Sequence, residues 1–356
     1  RAEQKHNVII VLMESMSSKF LTENRYPGQP VITPTLDRLS KEGLFFSRTY
    51  ASGTRSVRGI EAVNLSIPPL PGQSIVRRPG NENLHGLGSV FAEKGYDNKW
   101  IYGGYGYFDN MNAFLGGNGF RVVDRTAWAD GEITFANAWG AADEDTFAKV
   151  IKEADKSYAS GKPFLTLLLT ISNHRPYTYP SGKVSLTGGR EGGVQYADYA
   201  IGEFLRRAES KPWFDNTIFV FVADHTAGAA GDEEIDLEGH HIPWIIYAPK
   251  LVKARRIDMP VSQLDVLPTL LGLLNFDYES RFYGQDALSP DYESRFFVSN
   301  FQKIGYVKNG AGVILKPVRD YAVLPAGTQP THVQTLLDEA VAFYQSASHW
   351  KHFLKK

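Results

Sequence analysis

Residues 217–228 read TIFVFVADHTAG. Apolar and β-branched residues run from Thr217 to Ala223, and the run stops on Asp224 and His225 side by side. A run of this kind predicts a parallel strand covered on both faces. In open α/β sheets, ligands and reacting groups gather just beyond the carboxyl ends of such strands. The pair therefore marks a candidate functional edge. The plainer alternative is an Asp that caps the next turn beside a His satisfied by its neighbours.

Working outward, apolar strand patterns recur at 8–13, 43–47, 98–102, 164–171 and 243–248, with helical composition at 142–159 and helical spacing at 196–208. Strands alternating with helices predict an α/β fold, a mostly parallel sheet sandwiched by helices. Residues 262–275 predict a short helix entered through a polar cap, Ser262-Gln263-Leu264-Asp265. From about 293 the pattern changes to short strands at 295–300, 303–308, 312–315 and 319–324, with turns such as Asn309-Gly310, and then a helix over roughly 330–354. The expected organisation is one large domain over 1–290 and a small C-terminal antiparallel α+β appendage over 291–356.

The chain has 356 residues, 43% of them hydrophobic, enough to bury a large core. Its net charge of −1 and interspersed charges offer no basic field, which argues against nucleic acid as a partner. It has no cysteine, which excludes disulfides, thiolate metal sites and cysteine-derived catalysts. No apolar run reaches the ~18–20 residues that span a bilayer. The chain starts at Arg1 and enters its first strand almost at once, so an upstream membrane anchor outside this sequence is expected.

The first strand ends Met13-Glu14-Ser15, which puts a second acid at a strand's carboxyl end. In a parallel sheet, Glu14 and Asp224-His225 open on the same edge. Two carboxylates and an imidazole converging there repel and desolvate one another unless a cation sits among them. Oxygen ligands with one His suit Mn²⁺, Mg²⁺ or Zn²⁺. A third piece is Tyr50-Ala51-Ser52-Gly53-Thr54-Arg55-Ser56-Val57-Arg58-Gly59, which follows a strand and precedes a segment helical from Ser56. A hydroxyl at a helix start, flanked by Gly and two Arg, has the makings of a nucleophile in a phosphate cradle, with Arg58 able to hold two oxygens. A Thr hydroxyl needs a metal to become a competent nucleophile. The alternative is an ordinary helix cap with surface arginines.

Met13-Glu14-Ser15, Ser52-Gly53-Thr54, Ile171-Ser172-Asn173-His174-Arg175-Pro176 and Ala223-Asp224-His225 follow one another in the order seen in the alkaline-phosphatase/sulfatase superfamily. More narrowly, the chain resembles the extracytoplasmic catalytic domain of lipoteichoic-acid-synthase-like phosphoglycerol transferases over about residues 7–290, and the stretches 100–110 and 261–271 add to the likeness. The resemblance implies one divalent ion, manganese ahead of magnesium or zinc, held by Glu14, Thr54, Asp224 and His225. It implies that Thr54 attacks a phosphatidylglycerol-type head group, expels diacylglycerol and carries the phosphoglycerol until an acceptor hydroxyl takes it. That acceptor belongs to a glycan, a polymer or another lipid. His174 matches a histidine on the bound phosphoglycerol, and His241 matches one near phosphate, while His240 is left to solvent. Where Gram-positive synthases carry Trp-x-Arg, this chain has Phe108-Asp109-Asn110, and Asp109 or Asn110 is expected to bond a glycerol hydroxyl. The aromatic residues at 102–108 either line the pocket or pack beneath a Gly-rich loop.

The implied location is the extracytoplasmic, periplasmic face of the cytoplasmic membrane. Alternatives on the same core are a phosphoethanolamine transferase, against which the missing cysteines count, and a phosphatase or phosphodiesterase. Thr54 stands at the first position of the sulfatase Cys/Ser-x-Pro-x-Arg slot, and Thr cannot form formylglycine, so sulfate ester hydrolysis is not expected.

Overall fold

The computed structural model describes residues 2–232 and 234–356. The apolar runs form β1 (Asn7–Met13), β2 (Leu44–Tyr50), β3 (Asp97–Tyr102), β4 (Arg121–Val123), β5 (Phe164–Leu169), β6 (Thr217–Ala223), β7 (His241–Tyr247), β8 (Arg255–Ile257) and β9 (Val261–Ser262). They make one sheet in the order β4-β3-β5-β1-β6-β7-β2-β8, with β9 beside β2. Every residue of β1 and β6 is buried, as continuous apolar runs require when both faces of a sheet are covered.

β7 departs from the parallel pattern, pairing antiparallel with both β6 and β2. Its apolar run reads the same in either direction, and only the route of the chain into it decides its polarity. The sheet is therefore mostly parallel and mixed.

The helices are α1 (Pro34–Glu42), α2 (Ser56–Leu65), α3 (Leu87–Glu93), α4 (Met111–Gly116), α5 (Asp143–Ala159), α6 (Gly189–Ala208) and α7 (Val266–Leu273). α1, α5 and α6 pack on one another as one layer, and α2 packs with α3 and α7 as a second. α6 begins seven residues before the apolar spacing at 196 announces it, through Gly192 and Gly193. Glycine is a poor helix former. Here it lets the helix approach closely, because a Cβ on Gly193 would lie 2.9 Å from Asn173 Oδ1.

Past residue 290 the chain forms a second, antiparallel sheet of β10 (Arg295–Ser299), β11 (Ile304–Lys308), β12 (Ala311–Lys316) and β13 (Asp320–Leu324). The expected last helix is two, α8 (Pro330–Ser348) and α9 (Trp350–Phe353), broken at His349. Phe297, Tyr306 and Val313 of this sheet share one apolar cluster with Leu336 and Tyr344 of α8 and with Ala62 and Leu264 of the large sheet's layer. Trp350 and Leu354 return to the main core. Among the described residues, no helix is long and apolar enough to cross a membrane.

Register sets the functional edge. Met13 stands opposite Ala223, and Leu12 opposite Leu169, so Glu14, Asp224 and Thr170 leave the sheet together. α2 is seated directly against that edge. A Cβ on Gly59 would lie 2.6 Å from the Asp224 carbonyl oxygen and 2.7 Å from its Cα. Gly59→Ala must push the helix and the strand end apart, and urea unfolding should show a loss of about 1–3 kcal/mol.

Candidate functional site

Glu14, Asp224 and His225 each present a ligand atom within 4.8 Å of the others, and all three are buried. His225 Nε2 lies 3.5 Å from Glu14 Oε1 and 3.4 Å from Asp224 Oδ2. Its other nitrogen, Nδ1, faces the Thr226 carbonyl at 2.7 Å and donates to it. That bond leaves the Nε2 lone pair aimed at the two acids, the arrangement of a metal-ligating imidazole. Asp224 Oδ1 accepts from the backbone N–H of Ser15 at 2.9 Å and of His225 at 2.7 Å, whereas Oδ2 is buried and accepts no hydrogen bond. An orphaned buried carboxylate oxygen beside a second carboxylate and an available imidazole nitrogen fits a divalent cation.

Electrostatics agree with the geometry. Burial pushes Glu14 up, but bonds to His225 and Ser15 outweigh it and hold the carboxyl at about 2. Burial first, and then the Glu14 charge, raise Asp224 to about 7. Burial disfavours the His225 imidazolium, yet the facing acids raise it to about 9. Protons thus balance the cluster where a cation would, and the three groups titrate together.

The surroundings hold these groups still. Glu14 N–H donates to Thr170 Oγ1 at 3.0 Å, and Asn173 Nδ2 donates to the Glu14 carbonyl at 3.0 Å and the Ser15 carbonyl at 3.3 Å. Ser15 takes a left-handed φ of 51°, and its hydroxyl donates to Glu14 Oε1 at 2.6 Å. Asp143, at the start of α5, accepts from the N–H groups of Ile171 at 2.8 Å and Ser172 at 3.0 Å and so shapes the loop that carries His174.

The hydroxyl at this cluster belongs to Ser56. Ser56 Oγ donates to Glu14 Oε2 at 3.0 Å. Among the described residues, Thr54 makes no hydrogen bond to Glu14, Asp224 or His225; it lines the neighbouring cleft. The physical reason is the turn itself. Arg55 is extended and serves as N-cap, so the first helical residue, Ser56, faces the strand ends. The expected helix start at Ser56 is correct, but it does not by itself tell the two hydroxyls apart.

Other expected residues are placed differently. Arg58 is buried, pairs with Glu61 Oε1 at 3.0 Å, and donates to the Leu70 carbonyl and to the Gly72 carbonyl at 2.7 Å. Its guanidinium anchors the 70–72 loop and does not face the metal cluster. His240 is buried and not solvated, with its nitrogens on the Asp236 and Ser299 carbonyls at 2.9 and 3.1 Å. His241 donates through Nε2 to the Ser47 carbonyl at 2.8 Å and stacks on Tyr50. Asn110 Nδ2 is turned to the Val76 carbonyl at 2.8 Å. Arg58 is held by Glu61 and two backbone carbonyls at the wall of the larger cleft, while His240, His241 and Asn110 each meet a backbone carbonyl.

One cavity reaches the cluster at Glu14 and Ser56, and a larger cleft lies beside it. An inner cavity of ≈ 40 Å³ is walled by Glu14, Ser56, Tyr102, Phe108, Trp139 and His174, with Asp109 at its edge. His174 packs on Trp139, ring centres 4.1 Å apart, and its Nδ1 meets the Arg175 carbonyl at 2.9 Å, which leaves Nε2 for the pocket. Of the aromatic group, Tyr102 and Phe108 line this cavity, while Tyr107 is exposed. An outer cleft of ≈ 750 Å³ carries Thr54, Arg55, Gln73, Arg77, Asp109 and Phe301. Asp109 borders both spaces and pairs with Arg77 at 3.3 Å.

A family model described as Sulfatase matches residues 6–276. Proteins named phosphoglycerol transferase I are similar. One from Citrobacter koseri is 27% identical over 245 residues, covering 62% of this chain and 31% of its own length. One from Xanthomonas campestris is 24% identical over 319 residues, covering 81% and 43%. The chain thus spans less than half the length of these curated relatives. A solved structure of a protein in the alkaline phosphatase superfamily from Vibrio parahaemolyticus superposes with a TM-score of 0.90 at 31% identity, over 100% of this chain and 90% of that one. The lipoteichoic acid synthase LtaP from Listeria monocytogenes shares the fold, with a TM-score of 0.82 at 19% identity over 99% and 94% of the two chains.

Calorimetric titration with Mn²⁺ should show one ion per chain and release about one proton per ion near pH 7.5, because a cation displaces the protons held by His225 and Asp224. Affinity should therefore rise with pH towards 9, the value to which His225 is raised. Asp224→Ala should weaken binding by more than about tenfold.

Proposed function

This chain belongs to the Sulfatase family, and from that premise we propose that it transfers phosphoglycerol from a phosphatidylglycerol-type lipid to a hydroxyl acceptor of the cell envelope, at the extracytoplasmic face of the membrane. The transfer runs through a covalent phosphoglycerol ester on a protein hydroxyl. One observation carries the reading: Ser56 Oγ stands 3.0 Å from Glu14 within the acid–imidazole cluster. The relatives named phosphoglycerol transferase I support the head group.

Glu14, Asp224 and His225 would hold a divalent ion, with manganese the first candidate. Such an ion supplies charge neutralisation for the phosphoryl oxygens and a lowered pKa for the adjoining hydroxyl. The chain's own residues do the rest. Glu14 orients the Ser56 hydroxyl toward the pocket. In-line displacement at phosphorus needs positioning and charge compensation more than covalent ingenuity. The Ser56 hydroxyl proton passes to Glu14 Oε2, its hydrogen-bond acceptor, and returns to the Ser56 oxygen when the acceptor's attack releases it. The attack forms the Ser56 oxygen–phosphorus bond and breaks the bond to the glyceride oxygen, which leaves with a second proton as diacylglycerol. His174 Nε2, on the pocket wall, is placed to give that proton and later to take one from the acceptor hydroxyl. Tyr102, Phe108 and Trp139 restrict water, which favours transfer over hydrolysis. Asp109, at the junction of the two spaces, is placed to bond a glycerol hydroxyl.

Assigning the nucleophile to Ser56 also changes the argument against sulfate ester hydrolysis. Counted from Ser56, the sulfatase slot would need Pro at 58 and Arg at 60, and the chain has Arg58 and Ile60. The motif remains unmet, for a different reason.

Mass spectrometry after incubation with Mn²⁺ and phosphatidylglycerol should find a phosphoglycerol adduct on the peptide residue Ser56. Ser56→Ala should lose the adduct and cut diacylglycerol release at least about a thousandfold, while Thr54→Ala stays within about tenfold of wild type. An adduct on Thr54 would return the nucleophile to that residue. A phosphoethanolamine adduct from phosphatidylethanolamine would overturn the head group.

A further inference from the structure

Gln263 is fully buried between the two halves of the reacting centre. Its Oε1 accepts from the Ser52 N–H at 3.1 Å, and its Nε2 donates to the carbonyls of Ala223 at 2.8 Å and Asp224 at 3.0 Å. The partners impose the orientation of the amide, since an N–H needs the oxygen and two carbonyls need the nitrogen. One side chain therefore cross-links the turn that delivers Ser56 to the strand end that delivers Asp224.

The strand end needs such a partner. The β6–β7 ladder ends at Val222 opposite Trp244, which leaves the carbonyls of Ala223 and Asp224 without a strand partner on that side. Gln263 takes the place of the missing ladder bonds. Its own backbone is held by a reciprocal cap: Ser262 Oγ accepts from Leu264 N–H at 3.1 Å, and Asp265 Oδ2 accepts from Ser262 N–H at 2.9 Å. Asp265 is fixed in turn by the Tyr292 hydroxyl at 2.6 Å and Gln285 N–H at 2.8 Å.

The turn is stiff enough to transmit the restraint. The Ser52 carbonyl accepts from Ser299 Oγ at 2.8 Å, so the residue is gripped from both peptide faces. A Cβ on Gly53 would lie 2.5 Å from Arg58 Cγ, so the turn lies flat on the helix it enters. From Ser52 to Ser56 there is little slack, and a displacement at one end reaches the other.

We propose that Gln263 is a positioning residue for the transfer reaction, setting the separation between the Ser56 hydroxyl and the Asp224 carboxylate through its amide. This rests on the reading of Ser56 as nucleophile and Asp224 as metal ligand. It also makes a distinction that an ordinary core amide does not: β6 keeps its pairing with β1, and the Asp224 carboxylate keeps its bonds from the Ser15 and His225 N–H groups, so loss of the amide should move the hydroxyl more than the ion site.

The test uses the full chain with Mn²⁺ and Gln263→Met, which keeps length and removes every hydrogen bond. Turnover is followed on phosphatidylglycerol and on bis(p-nitrophenyl) phosphate, alongside calorimetric Mn²⁺ affinity and a crystal structure of the variant. The expected result is a kcat lower by about 10- to 100-fold with KM and the Mn²⁺ Kd each within about threefold, and Ser56 Oγ out of hydrogen-bonding reach of Glu14. Wild-type kcat in folded protein overturns the proposal. So does a Mn²⁺ affinity that falls by the same factor as kcat, since that marks general loss of structure. If Gln263→Met does not fold, Gln263→Glu is read the same way, because it keeps the acceptor for Ser52 and turns a carboxylate on two carbonyls. If neither folds, the residue is a folding determinant and the proposal falls. A wild-type chain that cleaves the chromogenic diester and ignores phosphatidylglycerol sinks the donor reading alone and leaves the kcat comparison valid.

Discussion

Two carboxylates buried side by side at the ends of adjacent strands are the constraint on which the rest of this molecule is arranged. Met13 stands opposite Ala223, so Glu14 and Asp224 have nowhere to diverge. An uncompensated charge taken out of water costs several kcal/mol, and two like charges together cost more. His225 meets part of that cost with a proton, its Nδ1 committed to the Thr226 carbonyl and its Nε2 turned to both acids. Asp224 Oδ2, still without a hydrogen bond, leaves an acceptor that a divalent cation would fit.

Delivery of a hydroxyl to that point is a packing problem. α2 must come within contact of the β6 end, which Gly59 allows because it has no Cβ to strike Asp224. Its first turn is braced from below by the buried Arg58–Glu61 pair, whose guanidinium also ties down the carbonyls of Leu70 and Gly72. The second sheet joins in through Ser299, which bonds the Ser52 carbonyl. Chain from both sheets thus converges on one short turn.

Much of the fold was legible because a strand buried on both faces admits few polar residues. The runs ending at Met13 and Ala223 stand out, and an acid directly after such a run is conspicuous. Thr54 and Ser56 could not be told apart in that way, since both are hydroxyls in one Gly-flanked turn and only the extended Arg55 between them decides which one faces the strand ends. Arg58 reads as a phosphate ligand because guanidinium groups suit phosphates, although Glu61 three residues on in the same helix is a local sign of the pair it makes. The carbonyl partners of Asn110 and His241, and the burial of His240, are equally hidden, because those partners are distant in sequence or around a turn. The direction of β7 was hidden as well, because an apolar run carries no arrow.

The amino-acid sequence by itself determined the α/β class, the positions of the buried strands along the chain and the identity of the three groups at their ends, because burial and chemical type are properties of the local chain. Only the tertiary structure decided which hydroxyl reaches those groups, which cation-bearing side chains remain available, and that Gln263 joins one half of the centre to the other. Those outcomes depend on register, on glycine-permitted contact and on competition for backbone acceptors. Each of these is a relation between segments that no single segment contains.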